Sequence, residues 1–166
     1  MAAATYAALW GCPLDIISRV VTAFPGLEHA LELVRERRGV RFVNDSKGTN
    51  VDATLKALEG IERPIWLIAG GRDKGGDFSR LTEAIRRRVK HVVLIGEAAP
   101  LLKAAWAGAT TISEAESLRG AVEWAAREAA AGDVVLMSPA CASFDMFQDY
   151  QDRGRQFKSA VQSLPE

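Results

Sequence analysis

Cysteine and histidine are scarce in this chain, with only Cys12, Cys141, His29 and His91 among 166 residues. Two cysteines cannot build a disulfide framework, and none of the four residues falls at zinc-ligand spacing, so no metal site is expected. An excess of charge is missing as well, since Lys plus Arg and Asp plus Glu both number 21. A balanced chain lacks the basic footprint that phosphate backbones and anionic membranes require, which argues against nucleic-acid and membrane partners. No apolar run approaches the roughly 20 residues needed to cross a bilayer. No Lys or Arg precedes Arg19, so the opening residues do not read as a secretory signal. The motifs GxxxxGK[ST] and GxGxxG do not occur, which removes the Walker A loop and the dinucleotide fingerprint. These absences leave a soluble, cytoplasmic domain of the α/β or α class.

Hydrophobic residues make up 48% of the sequence, enough at this length for a sizeable core without staples. Leu14, Ile17, Val21 and Phe24 recur at helical spacing after Pro13, and Pro25-Gly26 ends that helix. Short β-prone runs flank Arg38-Gly39 and predict a hairpin from residues 31 to 43. From Asn50 onward, helical segments alternate with short apolar runs. Asn50 caps a predicted helix that stops at Gly60. Strands are predicted at 64–69, 91–95, 110–112 and 133–137, with helices at 78–89, 97–107, 114–130 and 146–164. This alternation predicts a Rossmann-like, doubly wound α/β fold. Its sheet is mostly parallel with one antiparallel hairpin strand, preceded by a helical segment.

Ligands of such sheets bind beyond the carboxyl ends of the strands. That rule selects Asn44–Asn50, Gly70–Asp77, Gly96–Glu97 and Ser138–Asp145. The first loop sets an acid, an ammonium, hydroxyls and amides before a helix start, where anions are favoured. It reads equally as a polar turn whose Thr49 or Asn50 is a cap. In the second loop, glycines allow close backbone approach around Lys74, which is either a point charge for a carboxylate or phosphate, or a solvated lysine. In the last loop, Ser143 caps the final helix or receives an anion. Cys141 reads as a small buried thiol rather than a nucleophile. Trp10, Trp66, Trp106 and Trp124 read as core or interface, and His91 as structural.

Four segments together resemble the carboxy-terminal domain of the Mur ligase family. They are Phe24-Pro25-Gly26-Leu27-Glu28-His29, Val40 through Asn50, Ala69-Gly70-Gly71-Arg72-Asp73-Lys74, and Leu136 through Phe147 continuing to Phe157. The last segment is similar to the branch that adds D-glutamate. The resemblance implies an ATP-dependent, amide-forming ligase of peptidoglycan synthesis. In it, the alanyl carboxylate of UDP-N-acetylmuramoyl-L-alanine becomes an acyl phosphate that D-glutamate attacks. Other readings are a sister ligase, a folylpolyglutamate synthase relative, or a module that binds an acidic amino acid without chemistry.

Carried over by motif, the resemblance assigns D-glutamate binding to Thr49, Lys74, Ser143, Phe144 and Tyr150. It assigns the ATP and interdomain face to His29, Asp45 and Lys47. Two positions depart from the family pattern: Ala30 where arginine is usual, which removes a phosphate contact, and Glu28 where proline is common. The same resemblance divides the chain into residues 1–27, a helical remnant of a central ATPase domain, and residues 28–166, the glutamate-binding domain. It implies a fragment of a longer ligase, with ATP and Mg2+ serving the full-length enzyme and the fragment inactive alone. The apolar residues between 9 and 24 then either fold back on the domain or mediate self-association.

Overall fold

A computed structural model describes residues 2–166; Met1, the first residue of the helical remnant expected over 1–27, lies outside them. Two helices open the chain, α1 (Ala2–Leu9) and α2 (Leu14–Ala23). Pro13 stands at the position just before α2, and the backbone is extended again by Phe24. The two helices pack against each other, and at the end of the first of them the Tyr6 ring meets that of Trp10, one turn on, at 5.9 Å. No residue of α2 is buried, and Leu9, Trp10 and Leu14 are more than 70% exposed. Folding back onto the sheet domain, one of the two outcomes expected for this segment, is therefore not what these residues do.

The sheet begins with the hairpin β1 (Glu32–Arg37) and β2 (Val40–Asn44). Arg38 and Gly39 both have positive φ, 49° and 76°, the backbone of a two-residue turn whose twist suits a hairpin. Helix α3 (Val51–Gly60) starts where the Asn50 side chain accepts from the Ala53 N–H at 2.9 Å. Strand β3 (Ile65–Gly70) follows, then one turn of 3-10 helix at Phe78–Leu81 and α4 (Thr82–Arg88). Strand β4 (Val89–Ile95), α5 (Ala99–Ala105) and β5 (Thr111–Glu114) complete that half. Helix α6 (Leu118–Glu128), β6 (Val134–Met137) and α7 (Tyr150–Gln162) end the chain.

The strands lie in the order β1-β2-β6-β3-β4-β5, all parallel except β1. Strand β6, the last in sequence, is inserted between β2 and β3 and is buried along its whole length. Strands buried on both faces read as continuous apolar runs, which is why Val134–Met137 carries no alternation. One face is covered by α3, α4 and α5, whose core includes Leu58, Leu67, Ile85 and Trp106. The other is covered by α6 and α7 over Phe42, Ile68, Val122 and Phe157. Trp66 and Trp124 are half-buried there, with His91 stacked on Trp66 at 5.4 Å. Trp10 lies outside both cores, 77% exposed.

The final helix starts at Tyr150, not at Met146, and Asp149 caps it by accepting from the Asp152 N–H at 2.6 Å. Ser143 is therefore no helix cap. Its carbonyl instead accepts from the Met146 and Phe147 N–H groups, forming a turn before the helix.

Candidate functional site

The loops after β2, β3 and β6 are stitched together by backbone hydrogen bonds. The Asp45 N–H donates to the Met137 carbonyl at 2.8 Å, and the Ala140 N–H to the Gly48 carbonyl at 3.0 Å. On the other side of β6, the Gly70 N–H donates to Pro139 O, and Arg72 pairs with Ala142 in a short antiparallel bridge. Gly71 makes that approach possible. Its φ is 132°, and a Cβ there would run into the Ala142 carbonyl. The connections from β3 and β6 lead to helices on opposite faces of the sheet, and such a divergence is where open α/β sheets place ligands.

A cavity of about 410 Å³ opens beside this junction, between the start of α3 and the glycine-rich loop. Thr49 and Lys74 both line it, as do Asn50, Asp73, Asp77 and Arg80. The Asp73 carboxylate accepts from the Gly75 and Gly76 N–H groups, both at 2.9 Å, and so folds the loop that carries Lys74. Arg80 is held by Asp52 at 2.6 Å, whereas the exposed Lys74 ammonium has no ion pair or side-chain hydrogen bond among the described residues. The lining carries three carboxylates, Asp52, Asp73 and Asp77, against Arg80 and Lys74, so Lys74 is its one cation left without an ion pair among the described residues.

Ser143, Phe144 and Tyr150 do not line that cavity. Ser143 is buried two residues beyond Cys141, and Phe144 is 63% exposed. Tyr150 is half-buried, sets its ring edge-on to His29 at 6.3 Å, and accepts at its carbonyl from Ser46 Oγ at 2.7 Å. The five residues thus occupy two neighbouring groups, one at the cavity and one along the loop after β6.

Of the three residues assigned to the ATP face, two are built into the fold. Burial pushes the Asp45 carboxyl above its ordinary range, opposed by hydrogen bonds from Ser138 Oγ at 2.7 Å and the Leu31 N–H at 3.2 Å. The His29 ring is buried with Nδ1 2.9 Å from Asn44 Nδ2, and its backbone holds a left-handed φ of 64°. Only Lys47 presents an exposed ammonium, while its N–H donates to the His29 carbonyl at 3.0 Å. Lys47 fits a phosphate contact; the side chains of Asp45 and His29 are occupied by protein partners. A cation does not fit the one set of His and acidic residues that lies close enough to ligate one among the described residues, Glu28, His29 and Glu32. The Lys158 ammonium already sits 3.1 Å from Glu28 and 2.6 Å from Glu32.

Cys141 is buried, and that burial pushes its thiol up to about 12, far from the thiolate a nucleophile needs. Two side chains not singled out from the sequence belong to this loop cluster. Arg153 is fully buried and donates to Ser46 and to the Cys141 carbonyl. Asp145 accepts from the Glu97 N–H at 3.0 Å. Both lie in the segment that carried the family likeness, but their partners are far away in sequence, and periodicity carries no signal of such contacts.

This arrangement defines an α/β domain with a polar cavity, bearing a lysine unpaired among the described residues, at the carboxyl ends of parallel strands. The family described as Mur ligase, glutamate ligase domain, matches residues 31–141, and the chain belongs to it. It is 51% identical over 154 residues to the UDP-N-acetylmuramoylalanine--D-glutamate ligase of Syntrophotalea carbinolica, covering 93% of this chain and 34% of that protein. The enzyme of the same name from Geotalea daltonii is 47% identical over 99% of this chain and 36% of its own length. The chain therefore spans about a third of the length of these relatives. The fold is shared with a pseudomurein peptide ligase type C from Methanothermus fervidus, at a TM-score of 0.68 and 11% identity, covering 99% of this chain and 34% of that one. It is also shared with E. coli FolC in complex with ADP, at a TM-score of 0.58 and 18% identity over 83% of this chain and 33% of that one.

Proposed function

We propose that this chain is the amino-acid-binding domain of an ATP-dependent ligase that joins D-glutamate to UDP-N-acetylmuramoyl-L-alanine in peptidoglycan synthesis. The observation that carries the reading is the convergence of Thr49 and the free Lys74 ammonium on one cavity, in a chain about half identical to ligases named for that reaction. Those names favour D-glutamate over the amino acids of sister ligases and over folate chemistry, whose enzymes share the fold at low identity.

A carboxylate resists amide formation because its oxygen leaves poorly. In the parent enzyme ATP supplies the phosphoryl group that overcomes this, and Mg2+ accompanies it outside this chain. The residues here bind and orient the second substrate. Lys74 and the Thr49 hydroxyl hold one D-glutamate carboxylate at the cavity. Ser143, the Phe144 backbone and Tyr150 hold the other, so that the amine points toward the activated carbonyl. The Lys74 charge at one end and hydroxyl and backbone donors at the other offset the repulsion between substrate carboxylates and phosphates. Because these two groups of residues do not share one cavity in this chain, closure of the parent's domains would complete the site.

On this reading residues 28–166 form the glutamate-binding domain. Residues 1–27 belong with a neighbouring ATPase domain, and their apolar face drives self-association when that neighbour is missing. The chain alone does not ligate, and the parent works in the cytoplasm; among the described residues no helix is long and apolar enough to cross a membrane. The test is a titration of the chain with D-glutamate and L-glutamate, followed by backbone amide shifts. Saturable shifts at Thr49, Lys74 and Ser143 with the D isomer alone support the reading, and equal response to both isomers counts against it. Phosphate release by the chain alone, given ATP, Mg2+ and both substrates, would contradict its inactivity.

A further inference from the structure

Arg153 lies in the first turn of α7 and is fully buried. Its guanidinium donates from Nε to Ser46 Oγ at 3.0 Å, from Nη2 to the Ser46 carbonyl at 2.9 Å and from Nη1 to the Cys141 carbonyl at 3.2 Å. All three acceptors are uncharged. Among the described residues Arg153 forms no ion pair, although Asp145 is close enough to act on it electrostatically. Burial pushes the guanidinium down to about 10, so it remains charged at neutral pH. Burying a charge is costly unless it is hydrogen-bonded and charge-compensated, and here three hydrogen bonds to two loops carry most of that compensation.

The same cluster holds a second incomplete group. Asp145 accepts at Oδ2 from the Glu97 N–H, while Oδ1 is buried with no hydrogen-bond partner among the described residues. Buried polar atoms are rarely left this way, and each exception asks for an explanation. The Asp145 carboxylate supplies part of the negative charge opposite Arg153, and the arginine grips the loop that carries Asp145 and the one opposite. Ser46 belongs to the segment that carries Lys47 and Thr49, and Cys141 to the segment that carries Ser143.

We propose that Arg153 is the positioning residue of the carboxylate site. It sets the spacing between the Thr49 loop and the Ser143 loop, and with it the geometry that an acidic ligand meets at this corner. The ligand's identity as D-glutamate rests on the function proposed above, whereas the tie between the loops does not.

The test uses the 166-residue chain with Arg153→Met and Arg153→Lys. Amide hydrogen exchange is read at Gly48, Ala140 and Ala142 in the loops, and at Leu67 and Val92 in the sheet. Binding of D-glutamate and of glutarate, the same dianion without an amine, is measured in parallel. In R153M we expect loop protection to fall roughly tenfold or more while the sheet amides change by less than about threefold. Affinity for both dianions falls with it, and R153K recovers part of each loss. A uniform loss that includes the sheet would mean a merely structural role and would overturn the proposal. Should R153M fail to fold, Ser46→Ala removes one of the three contacts and the same amides are compared. If D-glutamate binds wild type and R153M equally, the proposal fails and the substrate reading stands. If only glutarate binds, and does so through Arg153, the substrate reading fails and the proposal stands. If neither dianion binds the wild-type chain, the role of Arg153 in shaping a carboxylate site is overturned.

Discussion

Arg72 and Ala142 exchange both of their backbone hydrogen bonds, Arg72 N–H to Ala142 O at 2.9 Å and Ala142 N–H to Arg72 O at 3.0 Å. Just beyond the ends of the parallel strands β3 and β6, this pair makes an isolated antiparallel bridge, which brings the glycine-rich loop against the loop that carries Ser143.

The bridge depends on Gly71. Gly71→Ala forces a side chain into a left-handed backbone and against the Ala142 carbonyl, and is expected to destabilise by about 2 kcal/mol or more. Gly75→Ala is the control, because Gly75 is also left-handed, at φ 81°, but open space surrounds it. It is expected to cost about 1 kcal/mol. Denaturant unfolding of both variants checks the difference, and equal losses would deny the close approach any special weight.

Lys74→Met removes the cavity's free ammonium. Since Lys74 is exposed and unpaired among the described residues, stability should change by less than about 0.5 kcal/mol. Affinity for D-glutamate should fall roughly tenfold or more, as for loss of a charge-assisted hydrogen bond. Calorimetric titration reads the affinity, and thermal unfolding shows whether the loss is specific to binding.

The buried Asp133 links the lower ends of the strands. Burial alone would raise its pKa, but hydrogen bonds from Lys90 Nζ at 2.7 Å, Trp66 Nε1 at 2.9 Å and the Ala130 N–H at 3.0 Å outweigh it and hold the carboxyl below its ordinary 3.8. A group whose pKa is depressed by folding stabilises the native state above its unfolded value, and that stability is lost as pH falls through the folded value. Asp133→Asn should therefore cost about 1–2 kcal/mol at neutral pH. The gap from wild type should close as the pH drops below 3.8. Unfolding curves across the acid range measure it, and a gap independent of pH would remove the ion pair as its cause.

Removing residues 1–26 takes away Leu9, Trp10, Leu14, Val20, Val21 and Phe24, all exposed. The full chain is expected to self-associate with rising concentration, and the shortened one to remain a monomer with an unchanged melting temperature. Sedimentation of the two chains decides it; an unchanged association state would clear the helices of that role.

Legibility from sequence followed the range of the interactions. The hairpin at Arg38-Gly39 and the cap at Asn50 are specified by neighbouring residues, and each stands where local signals place it. The start of the last helix does not. Residues 143–149 carry helix-compatible apolar spacing, yet Asp149 caps the backbone later, and the intervening turn is stabilised by Ser143. That Thr49 and Lys74 belong together at one corner was legible through motif resemblance and strand-end logic, and the two line one cavity. Arg153 was not, because its partner Ser46 lies 107 residues away and nothing local distinguishes it from a helix-surface arginine.

The placement of β6 also has a kinetic meaning. The strand that joins the β1–β2 hairpin to β3, β4 and β5 is the last of the six to be synthesised. Until Val134–Met137 has left the ribosome, the two parts of the sheet have no hydrogen-bonded contact, and pairing over such sequence distances is slow. Both loops gripped by Arg153 are anchored on this strand or beside it. The corner that brings the Thr49, Lys74 and Ser143 loops together therefore cannot be completed before β6 pairs, and a chain halted before β6 lacks the strand on which the Ser143 loop is anchored.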